Sequence, residues 1–183
     1  MTATIRKEAV QIAGRSFDVI GDALEPGDNA PGFRLIGTDW RPVTLNDFGD
    51  SVKLISVVPS LDTSVCTLQT RRFEHESNSL DERVAVLTIS ADMPATQARW
   101  QEVNGLARIV FLSDYLKMSF AESYGTFVQA TRQEQRSVFV LDGENKIVHA
   151  EYVPAIDNEP DYEAALTAVR QLLRTDGPIF QEQ

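Results

Sequence analysis

Cys66 is the only cysteine in the chain, and it closes the run Pro59-Ser60-Leu61-Asp62-Thr63-Ser64-Val65-Cys66. By default a lone cysteine is a buried, inert small residue. Its setting argues for chemistry. An apolar run at 54–58 halts at Pro59, passes through short polar residues, and resumes at 63–79 with helical composition and no glycine or proline. That pattern puts Cys66 in the first turn of a helix, where unpaired N–H groups and the helix dipole favour an anionic sulfur, the nucleophilic form. Thr63, three residues earlier, fits the helix N-cap and brings a hydroxyl to the same end.

The obvious general bases fare poorly. His75 lies nine positions after Cys66, about 13 Å along a continuous helix and about half a turn round it, so it does not serve a cysteine–histidine pair. His149 falls in a strand-like segment and reads as an ordinary histidine. Arg71 and Arg72 read as solvated helix charges, although either could bend toward the sulfur. One cysteine and two histidines make no ligand cluster, so neither a metal site nor a cofactor is expected.

Composition narrows the class. The 183 residues carry 17 basic and 27 acidic side chains, a formal charge of -10, which repels phosphate backbones and anionic lipid head groups. No run approaches the roughly 18 apolar residues of a membrane span, and the first residues lack a signal-peptide core. A cytoplasmic protein is expected, with no nucleic-acid or membrane partner. A single cysteine forms no internal disulfide. Length and a 43% hydrophobic content suit one domain over 1–183.

The elements that must position Cys66 follow from periodicity. Alternation on both sides of Gly14 predicts an N-terminal β-hairpin, an extension over 1–20. Residues 22–32 are glycine-, proline- and acid-rich and read as a loop. A short strand at 33–37, a turn at 38–42 and a helical turn at 44–48 come next. From residue 52 the rhythm becomes strand (53–58), helix (63–79), strand (83–90), helix (94–103), strand (109–112), the signature of parallel strands joined by crossovers. A short helix at 115–124 is expected to end at Gly125. Segments 136–141 and 146–153 flank Asp142-Gly143-Glu144-Asn145, a hairpin signal. Asn158-Glu159-Pro160-Asp161 starts a last helix with an apolar stripe of Tyr162, Leu166, Val169, Leu172 and Leu173, and 175–183 reads as a loose tail. The residues alone therefore predict an α/β domain with an antiparallel edge.

The spacing of Pro59, Thr63 and Cys66 at a strand-to-helix junction resembles the peroxiredoxins. The segments Ile89-Ser90-Ala91-Asp92-Met93-Pro94 and Glu159-Pro160-Asp161-Tyr162-Glu163-Ala164-Ala165-Leu166, with the N-terminal hairpin, resemble the thiol peroxidase (Tpx) subfamily in particular. The resemblance implies a thioredoxin-like fold, a central mixed sheet flanked by helices, and a thiol-dependent peroxidase of hydrogen peroxide or small organic hydroperoxides. It also implies a homodimer. Cys66 would attack the peroxide, Thr63 would offer its hydroxyl to a peroxide oxygen, and Pro59 would shape the pocket without adding an N–H. The resemblance assigns the site's arginine to Arg136, whose guanidinium would favour the thiolate and steady the leaving oxygen.

One departure stands out. Such proteins usually carry a second, resolving cysteine after the Ser-Ala-Asp-x-Pro segment, and here Gln101 occupies that place. A Cys66 sulfenic acid would then be reset by an external thiol such as thioredoxin, with greater exposure to over-oxidation. The competing expectations are a redox-sensing protein with little turnover and a thioredoxin-like interaction module with an inert thiol.

Overall fold

The computed structural model describes residues 4–175. Strands β1 (Ile5–Ile12) and β2 (Arg15–Ile20) form the expected hairpin. Ile12 pairs with Arg15, so Ala13 and Gly14 alone make the turn, both at positive φ (49° and 75°). That combination matches the twist of the strands it joins. Next come β3 (Arg34–Gly37), β4 (Pro42–Thr44) and a 3-10 turn at Leu45–Phe48. The alternating stretch is β5 (Val52–Val57), α1 (Ser64–Ser77), β6 (Val84–Ser90), α2 (Pro94–Asn104) and β7 (Ile109–Ser113). Then follow α3 (Ser119–Ser123), β8 (Phe127–Val128), β9 (Gln133–Glu134), β10 (Ser137–Leu141), β11 (Ile147–Tyr152) and α4 (Tyr162–Thr175). Beyond Thr175 the expected tail lies outside the described residues.

The main sheet has the order β11-β10-β5-β6-β7-β3-β4. Its β5, β6 and β7 are parallel and the remaining pairs antiparallel. Every residue of β5 is buried, which is why it reads as an almost continuous apolar run: both faces are covered. On one face Leu54, Val86 and Val138 pack with Phe73 of α1, Trp100 of α2, and Leu166 and Val169 of α4. On the other, Ile55, Leu87 and Phe139 pack with Phe33, Phe120 and Tyr124. Each such side chain contributes about 1.5–3 kcal/mol by leaving water.

Three features differ from the sequence reading. Strand β4 falls where a turn (38–42) meets a helical turn (44–48) in that reading, and at three residues it is too short to show a period. β8 and β9 join the hairpin in a second sheet, β1-β2-β8-β9, through Ile20 opposite Phe127 and Phe127 opposite Glu134. At two residues each they are too short to show alternation. The helix expected over 115–124 is only Ser119–Ser123, because Met118 sits in the left-handed region at φ 55°. The Asp114 carboxylate accepts the N–H groups of Ser119 and Ala121 at 3.1 and 2.9 Å, defining the later start.

The end of α3 and the end of β2 touch backbone to backbone. Gly125 (φ +64°) and Gly21 (φ +103°) permit it: a Cβ on Gly125 would collide with the Asp22 carbonyl, and one on Gly21 with that of Glu122. At Gly14, by contrast, no atom stands near the added Cβ. Gly125→Ala is therefore expected to lower the unfolding free energy by about 2–3 kcal/mol, and Gly14→Ala by only about 1 kcal/mol, as read by urea unfolding.

Glu134 is fully buried. Thr126 Oγ1 donates to its Oε2 at 3.5 Å, and its Oε1 has no partner among the described residues. Burial, reinforced by nearby Asp114 and Asp92, holds Glu134 well above the usual carboxylate range. Burial likewise pushes Asp114 up to about 6, against the opposing pull of the amide groups it accepts. A raised carboxyl stays protonated in the fold while the unfolded chain ionises, so its contribution is full at low pH and declines as pH climbs above about 4.3. Glu134→Gln removes that decline. The variant should match the parent near pH 4 and exceed it in stability at pH 8 in urea titrations, the gap widening as pH rises above about 4.3.

Candidate active site

The loop between β5 and α1 carries Pro59, Thr63 and the approach to Cys66. It is tied down by Asp92, whose carboxylate accepts the Ser60 hydroxyl (2.9 Å), the Leu61 N–H (2.8 Å) and the Ser90 hydroxyl (2.8 Å). The Ser90–Asp92 segment thus fixes the loop's shape. Thr63 stands at the N-cap of α1, yet its side chain makes no capping bond. Its hydroxyl donates instead to the Ser60 carbonyl at 3.2 Å. The capping role expected of Thr63 is absent, which leaves the amides of the first turn open to another acceptor.

Cys66 is fully buried and unbonded to any other sulfur. Arg136, also buried, reaches it from the start of β10, and its Nη2 donates to Cys66 Sγ at 3.4 Å. The guanidinium is held on two further sides. Nη1 donates to Gln69 Oε1 at 2.6 Å, while Nε and Nη2 donate to the Ile156 carbonyl at 3.2 and 2.8 Å. These four bonds leave one of the five guanidinium N–H groups for another acceptor among the described residues. Gln69 is itself oriented, because its Nε2 donates to Ser56 Oγ of β5 at 2.8 Å.

Gln69 is the residue that sequence reasoning missed. It lies three positions after Cys66, hence on the same helix face, and a polar residue at that spacing from a buried sulfur was the available signal. Beside the sulfur a cleft of about 230 Å³ opens, lined by Pro59, Thr63, Val65 and Arg136, with Ile12 and Ile156 among its other walls. Pro59, Thr63 and Arg136 thus line one cleft, and Cys66 lies behind it, joined to it through Arg136.

The other candidates lie elsewhere. His75 is exposed in the last turn of α1. His149, on β11, faces Glu151 at 4.0 Å, and burial holds it below the usual histidine range. Arg71 donates to Asn104 on α2 at 2.6 Å. Arg72 pairs with Glu76 at 3.0 Å and Glu163 at 3.4 Å. Neither arginine bends toward the sulfur. Gln101 sits on α2, where its side-chain amide donates to the Leu106 carbonyl at 3.1 Å.

A buried sulfur with a guanidinium N–H aimed at it, beside a small cleft walled by proline and a threonine hydroxyl, can deliver a sulfur nucleophile to a small bound molecule and stabilise charge on what leaves. Known proteins resemble the chain over most of its length. The model of the redoxin family matches residues 25–166. A thiol peroxidase from Listeria innocua is 44% identical over 153 residues, covering 84% of this chain and 92% of that protein. One from Bacillus subtilis is 41% identical over 165 residues, covering 90% and 98%. Among solved structures, a peroxiredoxin-like protein from Aquifex aeolicus superposes with a TM-score of 0.83 at 30% identity, covering 90% of this chain and 97% of that one. The mixed sheet, its flanking helices and the hairpin are accordingly the thioredoxin-like peroxiredoxin fold, and this chain belongs to the redoxin family, in its thiol peroxidase group.

Proposed function

We propose that this chain is a thiol-dependent peroxidase that reduces hydrogen peroxide or small organic hydroperoxides through Cys66. The observation that carries the reading is the hydrogen bond from Arg136 Nη2 to Cys66 Sγ at 3.4 Å beside the cleft. In the first step the thiolate sulfur attacks one peroxide oxygen. An S–O bond forms, the O–O bond breaks, and its electron pair leaves on the second oxygen, which takes up a proton as water or alcohol. Sulfur is oxidised and peroxide reduced. Arg136 has the charge and the geometry to hold the peroxide and the leaving oxygen. Thr63 offers its hydroxyl oxygen at the mouth of the cleft, and Pro59 forms a wall that adds no competing N–H. The apolar Ile12, Ala13, Val65 and Ile156 in the lining suit an organic hydroperoxide as well as hydrogen peroxide.

Resetting requires a thiol from outside, since the chain has one cysteine. An external thiolate, such as that of thioredoxin, attacks the Cys66 sulfenic acid, forming an S–S bond and breaking the S–O bond, and the hydroxide leaves as water after taking up a proton, giving a mixed disulfide. A second thiol then releases Cys66 as the reduced thiol and leaves the reductant as its disulfide. A single domain, a cytoplasmic location and a homodimer complete the reading. A reducing compartment suits a lone thiol that must be regenerated.

Peroxide consumption with a panel of thiol reductants tests the proposal. One equivalent of peroxide should add one oxygen atom to intact protein at Cys66, and excess peroxide without thiol should add two or three. Cys66→Ser should abolish turnover, and Arg136→Ala should slow the oxidation step about 100- to 1,000-fold. Cys66 left unmodified while free thiol in the same tube is oxidised would sink the reading. Stoichiometric oxidation without sustained turnover on any thiol would favour a redox sensor. For the assembly, sedimentation should report a mass near twice the 20.4-kDa chain.

A further inference from the structure

Apart from the apolar wall that Ile12 and Ala13 give the cleft, the N-terminal hairpin also reaches the site along a short backbone route. At Gln11 both backbone groups of β1 turn away from β2 and toward the segment before α4. The Gln11 N–H donates to the Pro154 carbonyl at 2.8 Å, and the Gln11 carbonyl accepts the Ile156 N–H at 2.9 Å. Together they make a parallel bridge between Gln11 and Ala155. The residue so held, Ile156, carries on its other side the carbonyl that accepts Nε and Nη2 of Arg136, and the same Nη2 donates to Cys66 Sγ. A side chain makes a second tie. Gln135 Nε2 donates to the Ala9 carbonyl of β1 at 3.3 Å and to the Val153 carbonyl at 3.0 Å. Ile12 and Ala13, at the hairpin tip, line the cleft itself.

We propose that the hairpin is a positioning element of the site: the backbone of Gln11 fixes the Ile156 carbonyl that holds Arg136 against Cys66. The inference rests on the peroxidase reading above. An arginine side chain has many rotamers to lose. One carbonyl that accepts two of its N–H groups sets both the place and the plane of the guanidinium. A carbonyl in an irregular segment does this only if its residue is anchored, and the bridge to β1 anchors Ile156 by its N–H. Misplacing a catalytic group by about 1 Å costs up to about 100-fold in rate.

The test is a kinetic double-mutant cycle. Gln11→Pro removes the N–H that binds Pro154 while keeping the Gln11 carbonyl. The rate constant for oxidation of Cys66 by hydrogen peroxide should fall about 10- to 100-fold, and the Ile156 amide should exchange faster with deuterium. In an Arg136→Ala background the same substitution should change that rate less than about twofold, because nothing remains for the carbonyl to hold. A proline in β1 could unfold the hairpin outright, so Gln135→Met, close in shape but without the two amide donors, serves as a second arm with the same expected pattern. A folded variant of either kind that oxidises at the parental rate overturns the proposal. So does an effect that multiplies with Arg136→Ala, which is the signature of general destabilisation. If the parent protein itself fails to react with peroxide at Cys66, the peroxidase reading has failed instead.

Discussion

The structure depends on a buried cation. Arg136 is almost wholly removed from water, and its hydrogen bonds run to a side-chain amide, a backbone carbonyl and a sulfur. Gln69 and Ile156 satisfy N–H groups but carry no charge. A buried guanidinium without a counter-charge costs several kcal/mol. Of these partners, only the sulfur of Cys66 can become an anion. On the peroxidase reading proposed above, charge compensation falls to the sulfur or to an oxygen bound at it.

Sheet topology makes that meeting possible. β5 and β10 are antiparallel neighbours, with Ser137 opposite Val57. The carboxyl end of one lies beside the amino end of the other. Pro59 follows β5 and Arg136 precedes β10, so two residues far apart in the chain arrive at the same end of the sheet. The parallel pair β5 and β6 adds the third member, because the register that sets Val57 opposite Ile89 puts Asp92 within reach of the loop it clamps. A slip of one residue in either pairing would turn these side chains to the wrong face.

How much of this is legible without coordinates depends on how local each signal is. The hairpin, the alternating strands and helices and the placement of Cys66 in a first helical turn all rest on patterns within a dozen residues, and the structure has each of them. Arg136 has no such pattern: one arginine at a strand head looks like any surface charge, and only the family resemblance pointed to it. Gln69 carries only a faint mark, its spacing of three from Cys66. A polar residue within a helix does not announce burial, and it is the approach of β5 and Arg136 that buries Gln69. β8 and β9 are too short for any period to emerge. Thr63 shows the limit of a local rule, since a sound N-cap candidate turned its hydroxyl back to Ser60 when the loop offered a carbonyl.

Gln101 shows what the absent second thiol leaves behind. Its amide donates to the Leu106 carbonyl, its own carbonyl accepts the Leu106 N–H at 3.2 Å, and Gly105 at φ +65° closes α2 between them. The position is thus used to finish a helix, with the side chain engaged at the helix end. Cys66, meanwhile, is sealed under the first turn of α1, where Thr67 Oγ1 donates to the Leu61 carbonyl at 3.2 Å. On the peroxidase reading proposed above, a small peroxide has only to pass Arg136, which lines the cleft and touches the sulfur. A thiol attached to another protein must present a sulfur in line with the S–O bond it breaks, which demands that the first turn or its loop give way. Burial therefore acts differently on the two halves of the cycle: it shelters the sulfur for oxidation and makes the external reset the step that needs motion. In a chain without an internal thiol, that motion decides how long the sulfenic acid waits, and whether the next molecule to reach it is a thiol or another peroxide.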